Sequence, residues 1–169
     1  MSEQSYNDKL ISIQNPSFKK VRDVACSFIN CLPEEKRKTL HDQLSRGVNL
    51  LDSHELMCQY LWSYGKMHEA KIKKTLSSFS ESDFKKEITI IDWGCGQGLA
   101  TICFLDFLKS TNAFDKVKSS ILIEPSEKAL ARAFNHVNLY LKDSSIIKSV
   151  NKFLDDVVPE DIASEKRRA

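Results

Sequence analysis

A partial α/β domain, with a parallel sheet of about three strands behind a helical N-terminal region, is the fold class this sequence predicts. Three observations predict it. Apolar residues in the first half recur at three- and four-residue steps, the period of helices. The run Ile88-Thr89-Ile90-Ile91 is β-branched and leads directly into a glycine-rich turn. A helical pattern then separates it from a second apolar run, Ile121-Leu122-Ile123, the strand–helix–strand order of a right-handed parallel crossover.

Composition sets the outer bounds. The 169 residues are 41% hydrophobic and 28% charged, which fits one globular domain rather than a disordered tail. A net charge of +2 is too small to imply nucleic acid or membrane by itself. Met1 to Leu10 is polar with no apolar segment, and no run of about 18 apolar residues could span a bilayer, so a cytoplasmic location without membrane contact is expected. Five cysteines at irregular spacings, none in a C-x-x-C pair, predict reduced thiols and no metal site. Cys26 and Cys31 read as small buried side chains on a helix.

Taken in order, the first predicted helix runs from Ser17 to Leu32, with Phe18, Val21, Val24, Phe28, Ile29 and Leu32 on one face. Pro33 suits the first turn of a second, short helix that carries Leu40 and Leu44 and ends at Gly47. Asp52 and Glu55 resemble a capping box opening a third helical stretch through Phe79, with a bend expected at Gly65. Ser77 to Glu87 reads as a linker. Ile88 to Ile91 is then the first strand, Leu99 to Lys109 a mostly apolar helix, and Ile121 to Ile123 the second strand. Ser126 is the expected N-cap of a helix that buries Ala129, Leu130, Ala133, Phe134 and Val137. Beyond it a short helix over Ser144 to Val150 and a third strand over Lys152 to Leu154 are expected, with a frayed tail from Ala163 to Ala169. The domain organisation is accordingly a helical cap region over 1–80, a partial sheet domain over 88–158 and a polar tail over 159–169.

Chemistry concentrates in Asp92-Trp93-Gly94-Cys95-Gly96-Gln97-Gly98, set between a strand and a helix. Glycines at 94, 96 and 98 allow a sharp turn and close approach of a ligand to the backbone. A nicotinamide dinucleotide fingerprint starting at Gly94 would need glycine at position 99, where Leu99 stands, and no P-loop string is present.

This string resembles the glycine-rich first motif of class I S-adenosylmethionine-dependent methyltransferases, and Ile121-Leu122-Ile123-Glu124 is similar to their second; residues 88 to 137 carry the resemblance. It implies a Rossmann-like parallel sheet and S-adenosylmethionine as cofactor. Gly94, Cys95, Gly96 and Gly98 would form the cofactor-binding turn, the glycines lining the methionine moiety and ribose, with Asp92 near the sulfonium end. Glu124 would accept hydrogen bonds from both ribose hydroxyls. Trp93 stands where small aliphatic residues are more usual in the family. The family's acid after the third strand, near adenine, would be Asp155 or Asp156, with Asp143 the rival. Tyr64, His68 and Lys71 share one helical face that would close over the methionine end. No catalytic residue is assigned.

Such methyltransferases resemble a seven-stranded doubly wound sheet, whereas 77 residues follow Asp92, enough for about three strands. No N-P-P-[YF] or D-P-P-[YF] string occurs. The expectation is therefore a fragment of a longer methyltransferase, its acceptor being RNA, protein or a small molecule. An unpaired inner strand edge would favour self-association or a partner chain. Two other readings stand beside the enzyme: a non-catalytic cofactor-binding or scaffold module completed by a partner, and a Rossmann protein for another nucleotide, which Leu99 disfavours.

Overall fold

The computed structural model describes residues 2–47 and 49–163. Four helices precede the sheet: α1 (Glu3–Ile11), α2 (Phe18–Asn30), α3 (Glu34–Gln43) and α4 (His54–Leu76). There follow β1 (Ile88–Trp93), α5 (Leu99–Ser110), β2 (Val117–Ile123), α6 (Glu127–Leu141), β3 (Ile147–Val150) and the single turn α7 (Pro159–Ile162). The three strands are parallel in the order β1-β2-β3, with Ile91 beside Ile121 and Leu122 beside Ser149. The chain is thus an α/β protein with a three-stranded open parallel sheet behind N-terminal helices, as its periodicities predict.

Alternation along the strands divides the sheet into two unequal faces. Ile90, Leu122 and Ile147 point into the main core, where they meet Ile102 and Leu105 of α5 and Val137 and Tyr140 of α6. The same core continues into the helical region through Phe18, Val21, Ala25 and Ile29 of α2 and Leu61 of α4. Each such fully buried large side chain stabilises the fold by about 1.5–3 kcal/mol. The opposite face buries Ile121, Ile123 and Val150 under Val157 and Ile162, which leaves Ile91 and Trp93 of β1 exposed.

Local chemistry sets the element ends. The Ser17 and Ser126 hydroxyls cap α2 and α6 by accepting from the backbone N–H of Lys20 and Ala129. A carboxylate from another element, Asp106 of α5, also accepts from Phe18 N–H at 2.7 Å and pins α2 to the sheet layer. α4 starts on Ser53, whose hydroxyl accepts from Leu56 N–H, rather than on Asp52 as expected. The reason is extended backbone at Ser53, one residue closer to the first turn. At Gly65 this 23-residue helix is crossed by Arg22, which donates to the carbonyls of Leu61 and Trp62. A Cβ at Gly65 would come within 3.0 Å of the Arg22 side chain, so close approach explains that glycine.

Four expectations are corrected. The polar N-terminus forms α1, because Tyr6 and Leu10, four residues apart, are both buried in the main core. The third strand is Ile147–Val150, not Lys152 to Leu154, and no helix spans Ser144 to Val150 beyond a 3₁₀ turn at Ser144–Ile146. Its sides bury Ile147 and Val150 on opposite faces, a pattern four residues cannot separate from a helical one. Cys31 is exposed and Cys26 only half-buried, since they flank rather than occupy the stripe that α2 turns inward. The stretch expected as a polar tail begins with α7; residues 164–169 lie outside those described. Among the described residues no helix is long and apolar enough to cross a membrane.

Deep in the core, His136 of α6 is fully buried between Tyr6 of α1, the guanidinium of Arg132 and the Gln97 carbonyl. Burial, then Arg132, hold its pKa down to about 3 from an ordinary value of 6.5. A depressed histidine leaves the unfolded chain binding more protons, so the stability tied to neutral His136 is fully present above pH 6.5. It erodes as pH falls through the window down to about 3. His54 and His68, also lowered chiefly by burial, act in the same direction, while Asp92 and Asp106, raised by burial, oppose it only in the carboxylate range. Urea denaturation is expected to show about 2 kcal/mol less stability at pH 5 than at pH 7. Equal midpoints and slopes at the two pH values would contradict it.

Candidate functional site

A cleft of about 510 Å³ opens at the C-terminal ends of β1 and β2, where parallel sheets bind ligands. Its floor is the turn from β1 into α5. Gly94 and Gly96 adopt φ of +66° and +52°, and a Cβ built on either would meet nothing within 4 Å. Both glycines therefore border open space in the left-handed region that disfavours side chains.

The turn is held from the neighbouring strand. Cys95 N–H donates to the Ile123 carbonyl at 2.9 Å, and Gly96 N–H donates to Oε2 of Glu124 at 2.9 Å. The other carboxylate oxygen of Glu124 accepts from Ser126 N–H at 3.0 Å, so this side chain ties the turn to the start of α6. Glu124 is only 8% exposed yet lines the cleft, and each of its oxygens has a further acceptor position. Asp92, at the end of β1, accepts from the Thr101 hydroxyl at 2.7 Å. Burial raises the Asp92 pKa, an effect opposed by the Thr101 bond and reinforced by the nearby charge of Glu124.

α4 supplies one wall. Tyr60 and His68 stack with ring centroids 5.5 Å apart, and the Tyr60 hydroxyl lies 2.9 Å from His68 Nε2. Burial lowers the His68 pKa, as does Lys71, and burial raises that of Tyr60, so both shifts favour the uncharged forms of the pair. Phe153 and Leu154 flank the cleft from the segment after β3. Both are more than half exposed, at 60% and 53%. Among the described residues neither lysine nor arginine lines the cleft, so Asp92 and Glu124 face it without a compensating cation. Cys95 also borders it, but burial and the two carboxylates push its thiol up, which makes it a poor nucleophile.

The expected site residues therefore divide. Asp92, Gly94, Cys95, Gly96, Glu124 and His68 meet at the cleft. Gly98 lies behind it as the residue preceding α5, with φ +75° and a hypothetical Cβ only 3.2 Å from the Ala133 Cα and Cβ; its glycine serves helix packing. Tyr64 turns away from the lining and packs edge-on against Tyr60, 5.3 Å between centroids, and near His41. Tyr60, one turn earlier, takes the wall position.

Asp155 and Asp156 sit in an exposed 3₁₀ turn rather than at a strand end, because β3 ends at Val150. Asp143 caps the turn before β3, accepting from Ser145 N–H at 2.9 Å. The residue that follows β3 is Asn151, whose side-chain amide donates to the Glu124 and Pro125 carbonyls at 2.9 Å. Sequence reasoning missed Tyr60, Asn151 and Phe153 here. For Tyr60 a signal existed, since positions 60, 64 and 68 share one helical face.

Compared with known proteins, the chain matches no protein-family model, no curated protein and no solved structure.

Proposed function

We propose that this cleft binds S-adenosylmethionine, and that the chain is a methyltransferase or the cofactor-binding portion of one. The observation that carries the reading is the open space over Gly94 and Gly96, flanked by Asp92 and Glu124 with, among the described residues, no lysine or arginine lining the cleft. A glycine floor without Cβ atoms suits a ligand lying directly on the backbone. Two carboxylates suit a ligand that brings hydroxyl donors and positive charge, and they repel the phosphates of a dinucleotide or a nucleoside triphosphate.

On this reading Glu124 accepts the ribose hydroxyls, Asp92 faces the cationic methionine end, and Phe153 with Leu154 offers an apolar surface to the purine. S-adenosylmethionine supplies an electrophilic methyl carbon when bound. Displacement at that carbon needs positioning and exclusion of water more than a protein nucleophile, and the buried, raised thiol of Cys95 accords with this.

Calorimetric titration tests the proposal. S-adenosylhomocysteine and S-adenosylmethionine are expected to bind saturably at one site, whereas ATP and NAD are expected not to bind. Tighter binding of either nucleotide would overturn it.

A second reading, a cofactor-binding module completed by a partner, is favoured by the edge of β1. Among the described residues β1 pairs only with β2, and Ile91 and Trp93 are exposed beside its open edge, at 38% and 49%. Methyl transfer catalysed by the chain alone would exclude that reading.

A further inference from the structure

The floor of the cleft is anchored on a third side, and this anchor leads through the protein interior to the first helix. Gln97 lies between the two last glycines of the turn and is 1% exposed. Its side-chain amide donates to the Met57 carbonyl of α4 at 2.9 Å. Its own carbonyl oxygen lies 2.8 Å from Nδ1 of His136 on α6, and His136 Nε2 lies 3.0 Å from the Tyr6 hydroxyl on α1. All three residues are buried.

Only one proton arrangement satisfies this chain. A carbonyl accepts and never donates, so His136 carries its proton on Nδ1. Nε2 of the neutral ring is then a bare acceptor, and the Tyr6 hydroxyl donates to it. The Tyr6 ring is fixed in turn beneath the guanidinium of Arg132, 4.4 Å from its centroid. Arg132 is 3% exposed, donates to His54 Nδ1 at 2.6 Å and lies 3.7 Å from Glu3 of α1. α1 inserts Tyr6 and Leu10 into the core, and the contacts of Tyr6 with His136 and Arg132 and of Glu3 with Arg132 add to this attachment.

We propose that α1 is a latch on the ligand-binding turn: Tyr6, a positioning residue, acts through His136 on the Gln97 carbonyl to hold Gly94 and Gly96 in the conformation that receives the ligand. Release of α1 removes the proton donor from His136 Nε2 and so loosens one of the turn's anchors, the one through the Gln97 carbonyl. The helix thereby gives the protein a means to regulate the cleft from its N-terminus. The inference rests on the proposed ligand only where affinity is concerned; the coupling between α1 and the turn is independent of it.

Tyr6→Phe keeps the ring against Arg132 and deletes only the hydroxyl. Amide hydrogen exchange of residues 95–98 in the ligand-free variant is expected to be about tenfold faster, with β2 amides unchanged, and S-adenosylhomocysteine to bind about three- to tenfold more weakly. Nitrogen NMR of the unmodified chain is expected to show His136 protonated at Nδ1. Unaltered exchange in the turn would overturn the latch. So would acceleration shared equally with β2, which marks Tyr6 as merely structural, and so would a His136 proton on Nε2. Faster exchange in the turn together with no S-adenosylhomocysteine binding by the unmodified chain would uphold the latch and sink the ligand reading.

Discussion

Glu124→Ala is expected to lower affinity for S-adenosylhomocysteine more than 100-fold, by about 3 kcal/mol or more, in calorimetric titration. On the proposed reading the variant removes both acceptors for the ribose hydroxyls. It also removes one of the turn's two ties to the neighbouring strand and the brace at the start of α6, because Gly96 N–H and Ser126 N–H each lose a carboxylate oxygen while the Cys95 to Ile123 bond remains. A buried donor left without a partner costs about 1–3 kcal/mol, so a fall in folding stability of that order should accompany the loss of binding. Glu124→Gln separates the two effects. One amide oxygen can still hold the Gly96 or the Ser126 amide, so stability should recover in part, whereas affinity should stay at least about tenfold down. Undiminished affinity in Glu124→Gln would mean that the carboxylate serves the turn alone and that the ligand lies elsewhere.

The second large effect separates three glycines that are indistinguishable in the sequence. Gly98→Ala is expected to destabilise the fold by about 2–4 kcal/mol. Its φ of +75° costs an alanine about 1–2 kcal/mol, and the new Cβ would press on the Ala133 backbone at 3.2 Å, where α6 packs against the start of α5. Gly94→Ala carries only the conformational cost, about 1–2 kcal/mol, since its Cβ would meet nothing within 4 Å. Its principal effect should be on binding, with affinity down about tenfold or more as the methyl group occupies the cleft floor. Urea denaturation and calorimetry on the two variants check this crossing of effects. Equal stabilities, or an unaffected ligand in Gly94→Ala, would contradict the assignment of the floor.

Much of this arrangement was legible in the residues. The periods of α2, α4 and α6 stand out because each buries mainly one side, and α5 because it is mostly apolar; hydrophobic patterning records burial directly. β1 and β2 are legible for the same reason, as are the serine cap of α6 and the placement of Asp92, the glycines and Glu124 at the ends of parallel strands. α1 was not legible. Two buried residues among polar neighbours carry no sequence periodicity, and the partners that make them stable, His136 and Arg132, lie some 130 residues further along the chain. β3 was placed five residues late because four residues with a buried side chain on each face show neither alternation nor a helical stripe.

The sequence by itself determined the α/β class, the parallel order of strand, turn and helix, and the string that forms the cleft floor, since each follows from local backbone preference and burial period. Tertiary structure alone decided which glycine faces the cleft and which packs a helix, that Tyr60 rather than Tyr64 forms its wall, and that Asn151 rather than an acid follows β3. It also decided that a polar N-terminus folds back onto the turn through Tyr6 and His136. These outcomes depend on contacts between residues far apart in the chain, whose distances arise only when separate elements pack together, and no local pattern encodes them.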